Sequence, residues 1–236
     1  MQWSSAGDNV WQGFYVSPYT AKDANTGALI SIFCIDYNHE IAPPMDWQAN
    51  IVPFSSSNFS QYQFGGTYPN ILPGDTSNPA NFAFQTNTAV SNGASVTANL
   101  STSNGLNRYL ELAWLATQME GALTDGQNGL LSTAAMNAVI DIYQVADWLV
   151  FADSGPSEFT SSETHLQDLQ GRIAATGGNF AFNSTLGLWG SSSSGYNFQF
   201  AVDSALNSAE NAVVNQGWTP GLGWSVVTAD KTWDAQ

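Results

Sequence analysis

The chain is poor in several things, and each shortage narrows what it can do. Its 236 residues include a single cysteine, Cys34, so no disulfide can close within one copy. Basic residues number four (Lys22, Arg108, Arg172 and Lys231) against nineteen acids, a formal net charge of -15. That balance repels phosphate backbones and anionic bilayers, so nucleic acid is excluded as a natural partner and anionic membrane surfaces are disfavoured. No apolar run approaches the ~18 residues of a membrane helix, and no membrane insertion is expected. The opening "MQWSSAGDNVW" lacks the basic and apolar regions of a signal peptide, so an exported form is expected to begin after its signal. There is no phosphate-binding glycine loop, GxSxG elbow or HExxH pair, which removes the familiar nucleotide-binding and hydrolase signatures. No cofactor or metal is expected.

What is present favours a folded domain. Hydrophobic residues make up 43% of the chain and aromatics 13%, including nine tryptophans, enough to build a sizeable core. Charged residues contribute only 10%, so solubility is carried by Ser, Thr, Asn and Gln, a habit of secreted bacterial surface proteins. A monomer at the cell surface or in the extracellular matrix of a bacterium is the expectation.

Residues 1–103 read mainly as strands and loops: "VWQGFYVSPYTA", "GALISIFCIDY" and "WQANIVPF" are aromatic and β-branched, with turn signals in "KDANTG" and "IAPPMD". From 54 to 103 the composition is that of long surface loops with short strands. The period then changes. "NGLNRYLELAWLATQMEGAL" places Leu106, Leu110, Ala113 and Trp114 at helical spacing and predicts an end near Gly121. "STAAMNAVIDIYQVADWLVFAD" carries the stripe Met136, Val139, Ile140, Tyr143, Ala146 and Val150 behind a Ser132 or Thr133 cap. "ETHLQDLQGRIAAT" and "FQFAVDSALNSAENAVVNQG" predict two more helices, and "LGWSVVTAD" a closing strand. Strands, then helices, then a strand, without βαβ alternation, indicate an α+β fold: a β-sandwich or barrel-like sheet layer with an inserted helical subdomain. One domain spans 1–236, with 1–103 and 217–236 mainly β and 104–216 mainly helical. "DANTG" and "DGQNG" have oxygen-rich loops but not the spacing of a calcium-binding EF-hand, and read as turns.

The residues around "FCIDYNHE" leave Cys34 four fates. It is a small buried hydrophobe; a nucleophile activated by His39; a metal ligand beside Asp36, His39 and Glu40; or the sulfur of an intramolecular thioester, formed when a cysteine displaces ammonia from a glutamine side chain. Within a strand, Cys34 and Asp36 would share one face and His39 would point to the other, which weighs against the nucleophile. The metal reading lacks a second cluster of ligands.

"FCID" and "YQVADW" together resemble the paired signatures of bacterial surface thioester domains: an aromatic residue, here Phe33, before the cysteine, and hydrophobic-Gln-any-Ala-hydrophobic-Trp about a hundred residues later. Two positions depart from the pattern, Asp147 before the tryptophan and Asp36 after Ile35. The order of "FYVSPYTA", "FCIDYNHE", "YLELAWLATQ", "YQVADWLVF" and "DKTWDAQ" also resembles exported proteins of Gram-negative bacteria that carry a PEP-CTERM sorting tail. The resemblance implies that Cys34 and Gln144 are the bonded pair, with Gln118 in "AWLATQ" a weaker rival. It further implies single-turnover capture of a surface-protein amine or a polysaccharide hydroxyl rather than enzymatic turnover; the alternative is a noncovalent exopolysaccharide-binding module. In a helix Trp148 and Ile140 flank Gln144, one turn to either side, and would shelter the linkage. Tyr37 and Tyr143 are candidate hydrogen-bond donors to the carbonyl, and His39 and Glu40 candidate proton acceptors.

Overall fold

The computed structural model describes residues 2–5, 9–35, 37, 49–62, 88–91, 94–97, 105–151 and 162–229. At its centre lies helix α2 (Thr133–Phe151), started by Ser132, whose Oγ accepts the Ala135 N–H at 3.2 Å. Residues 142 to 150 are all buried, so this helix is covered on every side. Helices α1 (Gly105–Gln127) and α4 (Phe198–Glu210) pack along it, and α3 (Ser162–Ala175) packs against α4.

Helix α1 runs past Gly121, beyond the end expected from sequence. A glycine inside a helix costs only about 1 kcal/mol, too little to stop one that packs against α2. The actual stop is Gly129, at φ 72°, where its N–H bonds the Gly126 carbonyl at 3.0 Å and the Leu130 N–H reaches Asp125 at 2.8 Å. This is a left-handed Schellman cap, and it accounts for "DGQNG". In α4 the Asn197 side chain caps the first turn by accepting the Phe200 N–H at 2.8 Å. The face Phe198, Val202, Ala205 and Ala209 is buried as the spacing predicts, and the helix ends in a π-turn over Asn211–Asn215.

The strands form small antiparallel sheets. β1 (Gln2–Ser5), β4 (Tyr19–Lys22) and β5 (Leu29–Ile32) make one of three strands, with β4 central. β2 (Val10–Trp11) and β3 (Phe14–Tyr15) form a hairpin whose two turn residues, Gln12 and Gly13, both have positive φ, as a tight hairpin turn requires. β6 (Ala49–Pro53) pairs with β11 (Ser225–Ala229), and β7 (Thr88–Ser91) with β8 (Ala94–Thr97). The "DANTG" turn is closed by its own aspartate: Asp23 accepts the Asn25 N–H and the Thr26 hydroxyl, each at 2.8 Å.

The molecule is thus mixed helix and sheet, consistent with α+β, and the described strands do not close into a barrel. One further hairpin, β9 (Asn179–Asn183) with β10 (Leu188–Ser192), falls inside 104–216, which the sequence reading gave to helices. Its strands are short and set among Ser, Gly and Asn, so they carry too little pattern to stand out. β10 lies close on α2 because Gly190 has no side chain there: a Cβ would meet Val139 Cγ2 at 3.1 Å.

Candidate functional site

Strand β5 stops at Ile32, so Cys34 follows the strand and is not part of it, contrary to the reading of "GALISIFCIDY" as one run. The reason is a hydrogen bond to a hydroxyl 17 residues back in the chain. The Cys34 N–H leaves the sheet ladder and donates to Ser17 Oγ at 2.7 Å. The Ser17 N–H in turn donates to Gln144 Oε1 at 2.9 Å, and Gln144 Nε2 donates back to the Cys34 carbonyl at 2.8 Å. Three residues from the β3–β4 connection, the chain after β5 and helix α2 therefore close a ring of hydrogen bonds. Gln144 is fully buried and Ser17 nearly so. A primary amide taken out of water must have its donor and acceptor satisfied, and here both partners sit on the segments that present Cys34.

Around this ring the structure stacks aromatics. Trp148 and Ile140, one turn after and before Gln144, are buried. The Trp148 ring lies 5.3 Å from Tyr37, 6.2 Å from Trp11 and 6.3 Å from Phe14, centroid to centroid, while Phe33 packs on Trp224 at 6.1 Å. A clasp holds this cover from outside: Tyr37 donates its hydroxyl to Asp168 at 2.6 Å, and Arg172 binds the same carboxylate oxygen at 2.8 Å. Arg172 also donates to the Gln12 carbonyl at 2.8 Å and sits 4.6 Å above the Phe14 ring. Helix α3 is thereby tied to the β2–β3 hairpin and to the chain just beyond Cys34. Burial raises the Tyr37 hydroxyl above the ordinary tyrosine range, and the Asp168 hydrogen bond adds to this.

The two tyrosines expected at the carbonyl face elsewhere. Tyr37 is engaged with Asp168, and the Tyr143 hydroxyl accepts the Trp189 N–H at 3.3 Å, joining α2 to β10. Burial pushes the Tyr143 hydroxyl up to about 12. The donor to Gln144 Oε1 is the backbone of Ser17, which sequence reasoning did not single out although "FYVSPYTA" was a noted block. Tyr19 was missed as well. It is buried, its hydroxyl donates to the Tyr15 carbonyl at 2.7 Å, and it stands close enough to the Cys34 thiol that the latter reinforces the upward shift that burial imposes on it. A backbone donor leaves no mark in a sequence, so only the serine itself could have been noticed.

Gln118, the rival partner, bonds within its own helix, to the Trp114 carbonyl at 3.3 Å and Thr117 Oγ1 at 3.2 Å. Asp36, His39 and Glu40 lie outside the described residues, and with them the geometry on which the nucleophile and metal-ligand readings depend. Among the described residues no helix is long and apolar enough to cross a membrane.

Two acids flank Gln144 on α2. Asp147, one turn on, is fully buried, and neither carboxylate oxygen has a hydrogen-bond partner; burial raises it well above the ordinary carboxylate range. Asp141, one turn back, is partly exposed and accepts the Asn9 side-chain amide at 2.9 Å. Burial pushes its carboxyl up to about 6, against the opposing effect of that hydrogen bond. No protein-family model, curated protein or solved structure matches the chain.

Proposed function

We propose that this chain is a covalent-capture domain, an adhesin-like thioester domain of a bacterial cell surface or matrix. Cys34 and Gln144 are joined by loss of ammonia, and the resulting acyl carbon is transferred once to a nucleophile on a target. The small sheets serve as the layer, sandwich-like in the expected architecture, that carries Cys34 to the helix. One observation bears most of the weight: the Gln144 amide, buried completely, is held between the Ser17 N–H and the Cys34 carbonyl.

The chemistry follows from that position. Attack on a carbonyl places negative charge on its oxygen, and a fixed N–H aimed at that oxygen stabilises the charge without reorganisation. The Ser17 N–H is such a donor. A thioester open to water hydrolyses; here the acyl side, Gln144, is buried next to the buried Trp148 one turn on, while Cys34 is half-buried. An amine on a surface protein yields an amide with the Gln144 carbonyl and frees the Cys34 thiol; a polysaccharide hydroxyl yields an ester. Each molecule reacts once, so the protein does not turn over. The charge of -15 and the export habit of the composition fit a secreted location, which the likeness to PEP-CTERM proteins also implies.

Methylamine tests this reading. Incubation should add one methylamine to the closed protein, place it on residue 144 in peptide maps and release one titratable thiol at Cys34. A protein whose mass and thiol content do not change with methylamine would argue for noncovalent binding instead.

A further inference from the structure

Between Val139 and Val150 every residue of α2 is buried except Asp141. The exception lies three residues before Gln144, 60° around the helix from it, with Cβ atoms about 5 to 6 Å apart by helix geometry. Helical side chains lean toward the N-terminus, the direction in which the turn carrying Asp141 lies from Gln144. The orientation of Asp141 is fixed by Asn9, whose side chain donates to Asp141 Oδ1 at 2.9 Å and whose carbonyl accepts the Val16 N–H at 3.3 Å. The next residue, Ser17, holds the Gln144 oxygen. The segment that binds the Gln144 oxygen therefore also braces Asp141, the one residue from Val139 to Val150 that is not buried.

We propose that Asp141 is the proton acceptor for the nucleophile that opens the Cys34–Gln144 thioester, a role resting on the function proposed above. As an amine nitrogen bonds to the Gln144 acyl carbon, an N–H proton passes to the Asp141 carboxylate. The C–S bond breaks, and the Cys34 sulfur leaves with its electron pair and takes that proton as a thiol. The products are an amide at residue 144, a thiol at residue 34 and an unchanged Asp141, so the step balances with no other reactant.

The charged residues of the helices packed on α2 are Arg108, Glu111, Glu120 and Asp125 on α1 and Asp203 and Glu210 on α4, and β10 has none. The titratable Tyr143 on α2 itself is engaged with β10. None of these groups shifts Asp141, whose carboxyl answers only to burial and to Asn9. Its carboxyl near 6 leaves a base at neutral pH, suited to proton transfer.

The test is the methylamine opening rate of the intact protein from pH 5 to 8, followed by mass and divided by the free-amine concentration. In the wild type this normalised rate should rise up to about tenfold per pH unit below about 6 and then level off. Asp141→Asn should flatten the profile and lower its plateau by about 100-fold, and Asp141→Glu should restore the rise. A wild-type profile that is flat, or an Asp141→Asn protein that keeps the rise and levelling at any rate, overturns the proposal while leaving the thioester reading intact. If Asp141→Asn does not close the linkage, the wild-type and Asp141→Glu profiles decide by the same criterion. A wild type carrying its full sequence mass overturns both readings together.

Discussion

Replacing Cys34 by alanine will lower the melting temperature by roughly 8 to 20 °C and abolish methylamine incorporation. The structure makes this substitution an unusually clean one. The hydrogen bonds of Cys34 in the ring use its backbone, so alanine keeps the N–H bond to Ser17, and the Gln144 amide, whose nitrogen no longer leaves as ammonia, can bond the carbonyl of residue 34. The proposed crosslink would be lost, and it closes a loop of about a hundred residues; in the chain-entropy model that closure stabilises by about 4 to 5 kcal/mol. For a chain of this size each kcal/mol moves the midpoint by about 2 to 4 °C. Gln144→Ala removes the same crosslink and also orphans the buried Ser17 N–H and Cys34 carbonyl contacts, so it should cost about 1 to 3 kcal/mol more. Thermal melts of the two variants beside the wild type check both statements. A Cys34→Ala melt that overlays the wild type would show that no crosslink spans these residues.

The second large effect concerns Asp147. A buried carboxyl with no hydrogen-bond partner is costly as a charge, so the folded protein keeps its proton over a range in which the unfolded chain has released it. The sign follows from linkage. With the folded value raised above the unfolded one, the native state binds more protons, and stability is lost as pH rises from the unfolded carboxylate range toward the folded one, by about 1.4 kcal/mol per pH unit. Asp141 adds a slope of the same sign up to its value of about 6. The protein is therefore expected to melt higher at pH 5 than at pH 7. Asp147→Asn, which has the same shape and cannot ionise, should lose about 3 to 6 °C of dependence per pH unit and be more stable than wild type at pH 7. Melts at pH 5, 6 and 7 measure this; parallel pH dependence in wild type and Asp147→Asn would mean that the acid is ionised in the fold.

Much of this arrangement was legible in the sequence because helices repeat. The stripe from Met136 to Val150 and the face from Phe198 to Ala209 each recur often enough to fix both the element and its buried side, and Ser132 marks where α2 starts. Gln144 and Trp148 could be placed beside one another for the same reason. Short strands offer no such repetition. The β9–β10 hairpin has five residues a side, and β5 stops before Cys34 because of one hydrogen bond to a hydroxyl distant in the chain, which no local pattern encodes. The donor to the Gln144 side-chain oxygen is a backbone N–H, invisible to residue types, while the tyrosines that residue types suggested are held by Asp168 and by β10. Asp147 was visible as a departure from an apolar pattern, but its complete burial required the packing of α1 and α4 around α2. Asp141 drew no notice in the sequence, since a lone acid on a helix is ordinarily a solvated surface group. Only the burial of every other residue from Val139 to Val150 gives it significance.

The most direct test of the account is the intact mass of the untreated protein, followed by digestion. A closed linkage leaves the chain lighter than its sequence by one ammonia, with the peptides bearing Cys34 and Gln144 recovered as one crosslinked species. A mass equal to that of the unmodified sequence, with Cys34 titrating as a thiol and residue 144 recovered as glutamine, would contradict it.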